Sequence, residues 1–171
     1  SVILHWGAVL FYLFSATLYL LSLSFRPEKL RRWGYFLATA GFVVHTLAIA
    51  CRWYVSGHGP YYHRYEVFSS NVWFAVIIFL IAARRYPFFQ GMGFIVMPAA
   101  VLVLGAGILA SPEIKDLPAS FQGIWLVIHV YFNKLAYGSA LLGTACAVIL
   151  LLKGHFSWKW LERMPPEEVL D

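Results

Sequence analysis

Five apolar stretches constrain this chain more than any other feature: Val2 to Ser24, Trp33 to Val55, Ser69 to Ala83, Gly91 to Ala110 and Gly123 to Leu152. About 20 mostly apolar helical residues cross the roughly 30 Å hydrocarbon layer of a bilayer. Lipid offers an open backbone no hydrogen-bond partner, so each stretch has to be a helix. The third is short and gains a turn from Tyr65 to Phe68, whereas the fifth is long enough to tilt or project. Hydrophobic residues make up 61% of the 171 and charged residues 12%, outside the balance of a soluble domain. The expected fold is all-α, an integral membrane bundle of about five transmembrane helices. Residues 1–153 form its polytopic domain, and 154–171 an interfacial amphipathic helix and linker leading towards a C-terminal half.

The first stretch lacks a basic leader and a small-residue cleavage site before Arg26, so it reads as a retained helix and not as a signal peptide. Positive charge sets the orientation. Arg26, Lys29, Arg31 and Arg32 follow the first span, Arg84 and Arg85 the third, and Lys153, Lys159 and Arg163 the fifth. These segments belong on the cytoplasmic side, which puts the N-terminus outside and the C-terminus inside. The net charge of +5 is then topological and calls for no nucleic acid. Small residues (Ala38, Ala40 and Gly41; Gly105 and Gly107; Gly138, Ser139 and Gly143) mark expected close helix contacts, and Pro98 is expected to kink the fourth span or shift its start.

With that orientation the histidines gather towards the outer face. At about 1.5 Å of rise per residue, His5 lies roughly 5 Å below the outer surface, His129 about 10 Å and His45 about 15 Å. His58 and His63 fall in the outer loop, and His155 alone is cytoplasmic. A neutral imidazole is the commonest metal and heme-iron ligand, so the outer half is where a cofactor is expected. A lone intramembrane histidine can also simply bridge helices; the company of the other outward histidines favours ligation by His129.

The loop from Arg52 to Glu66 carries Trp53, Tyr54, Tyr61, Tyr62 and Tyr65 around Gly57-His58-Gly59-Pro60. The glycines and proline break any continuous helix. Its aromatics suit either an interfacial belt, the plainer reading, or the face of a flat macrocycle. Arg52 and Arg64 are candidate partners for carboxylates of such a ligand. Arg52 serves equally as an interface anchor, and Lys134 either pairs with a carboxylate or snorkels.

Cys51 and Cys146 fall at different depths, which argues against a disulfide. There is no Cys-x-x-Cys-His, so any heme is held by coordination alone and is of b type. Nor is there a Cys-x-x-Cys thiol relay, a Walker loop, a Gly-x-Ser-x-Gly elbow or a His-Glu-x-x-His.

Arg52-Trp53, Gly57-His58-Gly59-Pro60 and Tyr65-Glu66, then a Trp-containing span, then Trp125-Leu126-Val127-Ile128-His129-Val130, resemble in order and spacing the N-terminal half of the CcsA (ResC) family. The closing Glu168-Val169-Leu170-Asp171 fits the same pattern. The family comprises the heme-handling membrane proteins of System II cytochrome c maturation. The resemblance implies that heme is presented at the outer face of a bacterial cytoplasmic membrane for attachment to apocytochrome c, with a CcsB (ResB)-like membrane protein as companion. It also implies that His129 is the first of two external heme ligands, and at most a part in a cytochrome c synthetase. The family's Trp-rich loop and its remaining heme histidines are expected beyond Asp171.

Heme handling for cytochrome c biogenesis is therefore the leading expectation, with His129 as the metal ligand and His45, Arg52, His58, His63 and Arg64 as the other cofactor-binding candidates. Two alternatives stand beside it. One is a b-type heme subunit of a respiratory complex, with His45 and His129 ligating one heme and electrons exchanged with a quinone. The other is a cofactor-free structural subunit whose histidines only bridge helices.

Overall fold

A computed structural model describes residues 2–25, 27–109, 118 and 123–155. Its elements are five α-helices: α1 (Val2–Leu21), α2 (Pro27–Ser56), α3 (Arg64–Arg85), α4 (Gly93–Leu109) and α5 (Ile124–His155), with a 3-10 turn, Pro87–Met92, leading into α4. The protein is an all-α, multi-span membrane protein: all five helical segments are long and apolar enough to cross a bilayer. The interfacial helix expected over 154–171 lies outside the described residues, apart from the end of α5.

Local chemistry explains the boundaries. Pro27 opens α2, where its missing N–H costs nothing, so the basic segment Lys29 to Arg32 belongs to a helix that projects past the apolar run. At the other end Gly57 adopts φ +71° and returns its N–H to Trp53 O at 3.0 Å. That left-handed conformation ends helices and favours glycine. Helix α3 starts five residues before the apolar run begins, because the Glu66 carboxylate reaches back to the His63 N–H at 3.4 Å, as in a capping box. Pro98 sits inside α4, which continues through it.

Helices α1 and α2 form a close antiparallel pair, α4 packs on α1 and α3, and α2 closes on α3. Helix α5 leans mainly on α3 and is the least buried of the five. Large side chains seated on glycines set the tightest approaches. A Cβ on Gly41 would lie 2.8 Å from the Tyr12 ring, and one on Gly93 would lie closer still to the Tyr19 ring. Gly107 meets Phe68 and Gly138 meets Ile78 in the same way. Gly105 and Gly143 instead have open space beside them, and Ser139 is exposed. The close contacts expected there do not form, because those faces of α4 and α5 point away from the other helices.

Candidate functional site

The loop between α2 and α3 is built around Glu66, a carboxylate that is 1% exposed. It caps α3 through His63 N–H and accepts from Arg52 Nε at 3.0 Å; the His58 Nδ1 lies 3.9 Å away. The Arg52 guanidinium also stacks over the Tyr65 ring at 4.5 Å. A buried ion pair of this kind loses much of its Coulombic gain to desolvation. Its effect is geometric, tying the last turns of α2 to the first turn of α3 across a loop that would otherwise be free.

A second tie comes from α5. Lys134, 2% exposed, donates to Pro60 O at 2.8 Å and to Ser70 Oγ. Ser70 in turn donates to Glu66 O at 2.6 Å, with Pro60 O at 2.9 Å. Lys134 therefore points into the bundle instead of snorkelling, and its partner is a loop carbonyl, not a carboxylate. Among the described residues, the base of the loop thus brings together two buried cations, Arg52 and Lys134, and one buried carboxylate, Glu66.

Within this frame His58 is buried. Its Nδ1 lies 2.9 Å from Gly59 O; a carbonyl only accepts, so Nδ1 carries the proton. Nε2 then has a free lone pair, and it is buried with no hydrogen-bond partner among the described residues. Tyr61 and Tyr62 stand edge-on to the ring at 6.1 and 6.3 Å. His63 Nε2 is likewise buried and unpartnered. Ligand histidines characteristically give their second ring N–H to a carbonyl, which fixes tautomer and orientation. Beneath the loop, between α2, α3 and α5, lies an apolar recess of about 330 Å³ walled by Trp53, Pro60, Trp73, Phe74 and Tyr131.

The other candidates are distributed differently. His129 is exposed on α5, and Asn133 Nδ2 donates to its Nε2 at 2.8 Å. On a helix it points well away from Tyr131 and Lys134, the residues that touch the loop. Trp125 and Phe132 are exposed on the same helix, at 79% and 68%. Arg64 is exposed at the start of α3. His45 lies in the α1–α2–α3 core with both ring nitrogens engaged, by Tyr12 OH at 3.2 Å and Ser69 Oγ at 2.9 Å. The structure thus gathers Arg52, His58 and His63 at one loop, leaves His129 and Arg64 on open surface, and separates His45 from all of them. Cys51 and Cys146 are both free thiols.

Sequence reasoning assigned no role to Glu66, although His63-x-x-Glu66 just ahead of an apolar run is a recognisable helix start. Nor did it assign one to Ser69 or Ser70, which carry no such signal.

No family model matches the chain. Among curated proteins, Protein NrfI of Wolinella succinogenes is 30% identical over 119 residues, 67% of this chain and 13% of that protein. Cytochrome c biogenesis protein CcsA of Trieres chinensis is 27% identical over 146 residues, 82% of this chain and 46% of that protein. The CcsA of Cycas taitungensis is 30% identical over 115 residues, 65% of this chain and 36% of that protein. The chain thus spans less than half the length of each of these relatives. On these matches the chain belongs to the CcsA family, of whose members it corresponds to a part.

Proposed function

We propose that this protein acts in cytochrome c biogenesis, and that its part is to hold heme at the outer face of a bacterial cytoplasmic membrane for attachment to apocytochrome c. The observation that carries the heme reading is the state of His58: Nδ1–H fixed on Gly59 O and Nε2 buried without a partner. That is the arrangement of an imidazole prepared to ligate. The names of the CcsA relatives support the pathway. Arg64, exposed at the start of α3, suits a propionate of a non-covalent heme b, with Arg52 and Lys134 buried behind the loop.

In this reading His129, whose Nε2 accepts from Asn133, would hold the iron at the exposed face of α5. The second ligand on that face comes from outside the five helices, and a CcsB (ResB)-like protein is the expected companion. When bound, the heme supplies the vinyl groups that react with apocytochrome thiols. The residues of this chain ligate it, balance its charge and exclude water. At the loop, apart from the His129 face of α5, His58 would offer Nε2 with His63 and the tyrosines beside it, and Arg52 acts through Glu66 to shape that surface.

A bis-histidine heme between His45 and His129 has no geometric support, since both His45 nitrogens are occupied in a core remote from the exposed face of α5. Complementation tests the proposal: a strain lacking the protein is given wild type, His129→Ala or His58→Ala, and covalent heme in c-type cytochromes is stained. Loss of c-type heme with His129→Ala, at unchanged protein level, is expected. Full maturation in both variants would overturn it.

A further inference from the structure

The buried face of α1 carries polar side chains among Ala8, Val9 and Ala16. His5, Tyr12, Ser15 and Tyr19 are all 1% exposed or less, and Ser22 is buried just past the helix end. Their spacings of seven, three, four and three residues put them on one helical face. At about 1.5 Å per residue the seam runs some 25 Å, close to the roughly 30 Å of a bilayer core. Polar side chains at that depth are costly and typically serve a transport or proton path.

At the end nearer the α2–α3 loop the seam is an unbroken hydrogen-bond chain. Tyr12 OH lies 3.2 Å from His45 Nδ1, His45 Nε2 is 2.9 Å from Ser69 Oγ, and the same hydroxyl is 3.0 Å from His5 Nε2. Each member can both give and accept a proton. The chain is therefore satisfied in either direction, with Tyr12 donating to His45, His45 to Ser69 and Ser69 to His5, or with all three reversed. Helix bridging needs only one such bond. Beyond the chain, the seam ends on hydroxyls with no hydrogen-bond partner among the described residues. These are Tyr65 OH, whose ring is 5.0 Å from that of His5, and Tyr19 OH. Buried hydroxyls of this kind are normally satisfied by ordered water.

We propose that the hydrogen-bonded chain His5–Ser69–His45–Tyr12 is a proton relay on a path through the bundle, and that ordered water carries the path on towards Tyr19, since Ser15 Oγ donates to Gly34 O at 2.7 Å and passes no proton along. A proton accepted at one end moves each shared hydrogen one place along, and a different proton leaves at the other end. No electrons move and no net charge stays behind. The side chains then turn to restore the starting direction. The other ionisable groups facing the path are Tyr65 and, over its ring, Arg52, which is paired with Glu66, with Tyr35 and Arg31 beside Tyr19. Ser69 is the link without which the two imidazoles do not communicate.

The full chain, reconstituted into liposomes containing a pH-sensitive dye and driven by a potassium diffusion potential, provides the test. Wild type is expected to raise proton flux above protein-free liposomes, Ser69→Ala to cut that increment at least tenfold, and Ser69→Thr, which keeps the hydroxyl, to retain most of it. If Ser69→Ala fails to insert, Tyr12→Phe is read instead, with the same loss expected. Flux no greater than in protein-free liposomes, or an increment unchanged in the variant that removes the hydroxyl, overturns the proposal.

Discussion

Lys134 on α5 donates through Nζ to the carbonyl oxygen of Pro60, 2.8 Å away and 74 residues earlier in the chain. The helix that carries His129 is thereby joined to the loop that carries His58. Replacing Lys134 by Met removes the donor and leaves Pro60 O and Ser70 dependent on each other. A loss of about 1–3 kcal/mol is expected, the usual result of stranding a buried polar group. Hydrogen exchange should accelerate over 57–63 while α1 and α2 keep their protection, and unchanged exchange in the loop would count against the tie.

Arg52 and Glu66 form the other tie, and its energetics differ. Removing one buried partner strands the other charge, so Glu66→Gln or Arg52→Met is expected to cost roughly 3–5 kcal/mol. The double variant should cost less than the sum of the two. Thermal unfolding in detergent of all three proteins checks this, and strict additivity would mean that the pair is not coupled.

The packing of tyrosine on glycine gives a sharp contrast between two positions of α4. Gly93→Ala places a methyl group against the Tyr19 ring and is expected to destabilise by about 1–3 kcal/mol, as overpacking does. Gly105→Ala meets open space and should be neutral or slightly stabilising, since alanine is the better helix former. Midpoints of thermal unfolding compare the two directly.

Orientation is testable apart from function. In a background with Cys51 and Cys146 replaced by Ser, Arg64→Cys is expected to react with a membrane-impermeant maleimide in intact spheroplasts, and Arg85→Cys only after permeabilisation. Both side chains are exposed at opposite ends of α3, so the reverse pattern would invert the assigned topology.

The spans were legible in the sequence because lipid demands long apolar runs, and four of the five were placed close to where the helices lie. The extra turn of α3 over Tyr65 to Phe68 was expected as well, but its cause was not legible: Arg52 neutralises Glu66 from the preceding helix. Histidines could be counted but not sorted. His45 and His129 differ by little in depth, yet one is locked between Tyr12 and Ser69 while the other lies exposed. The difference depends on which face of each helix meets a neighbour, and the apolar residues surround these helices too evenly to reveal it. Lys134 was visible as an intramembrane charge; its partner, a proline carbonyl far away in sequence, was not.

The most direct measurement of the heme assignment is the b-type absorption spectrum of the purified full chain, reduced and oxidised, in wild type, His129→Ala and His58→Ala, with a pyridine hemochrome to quantify the heme. The account predicts heme in wild type, with its Soret band shifted or lost in His129→Ala and perturbed in His58→Ala. Wild-type protein that cannot be loaded with heme, or two variants with wild-type spectra and heme content, would contradict it.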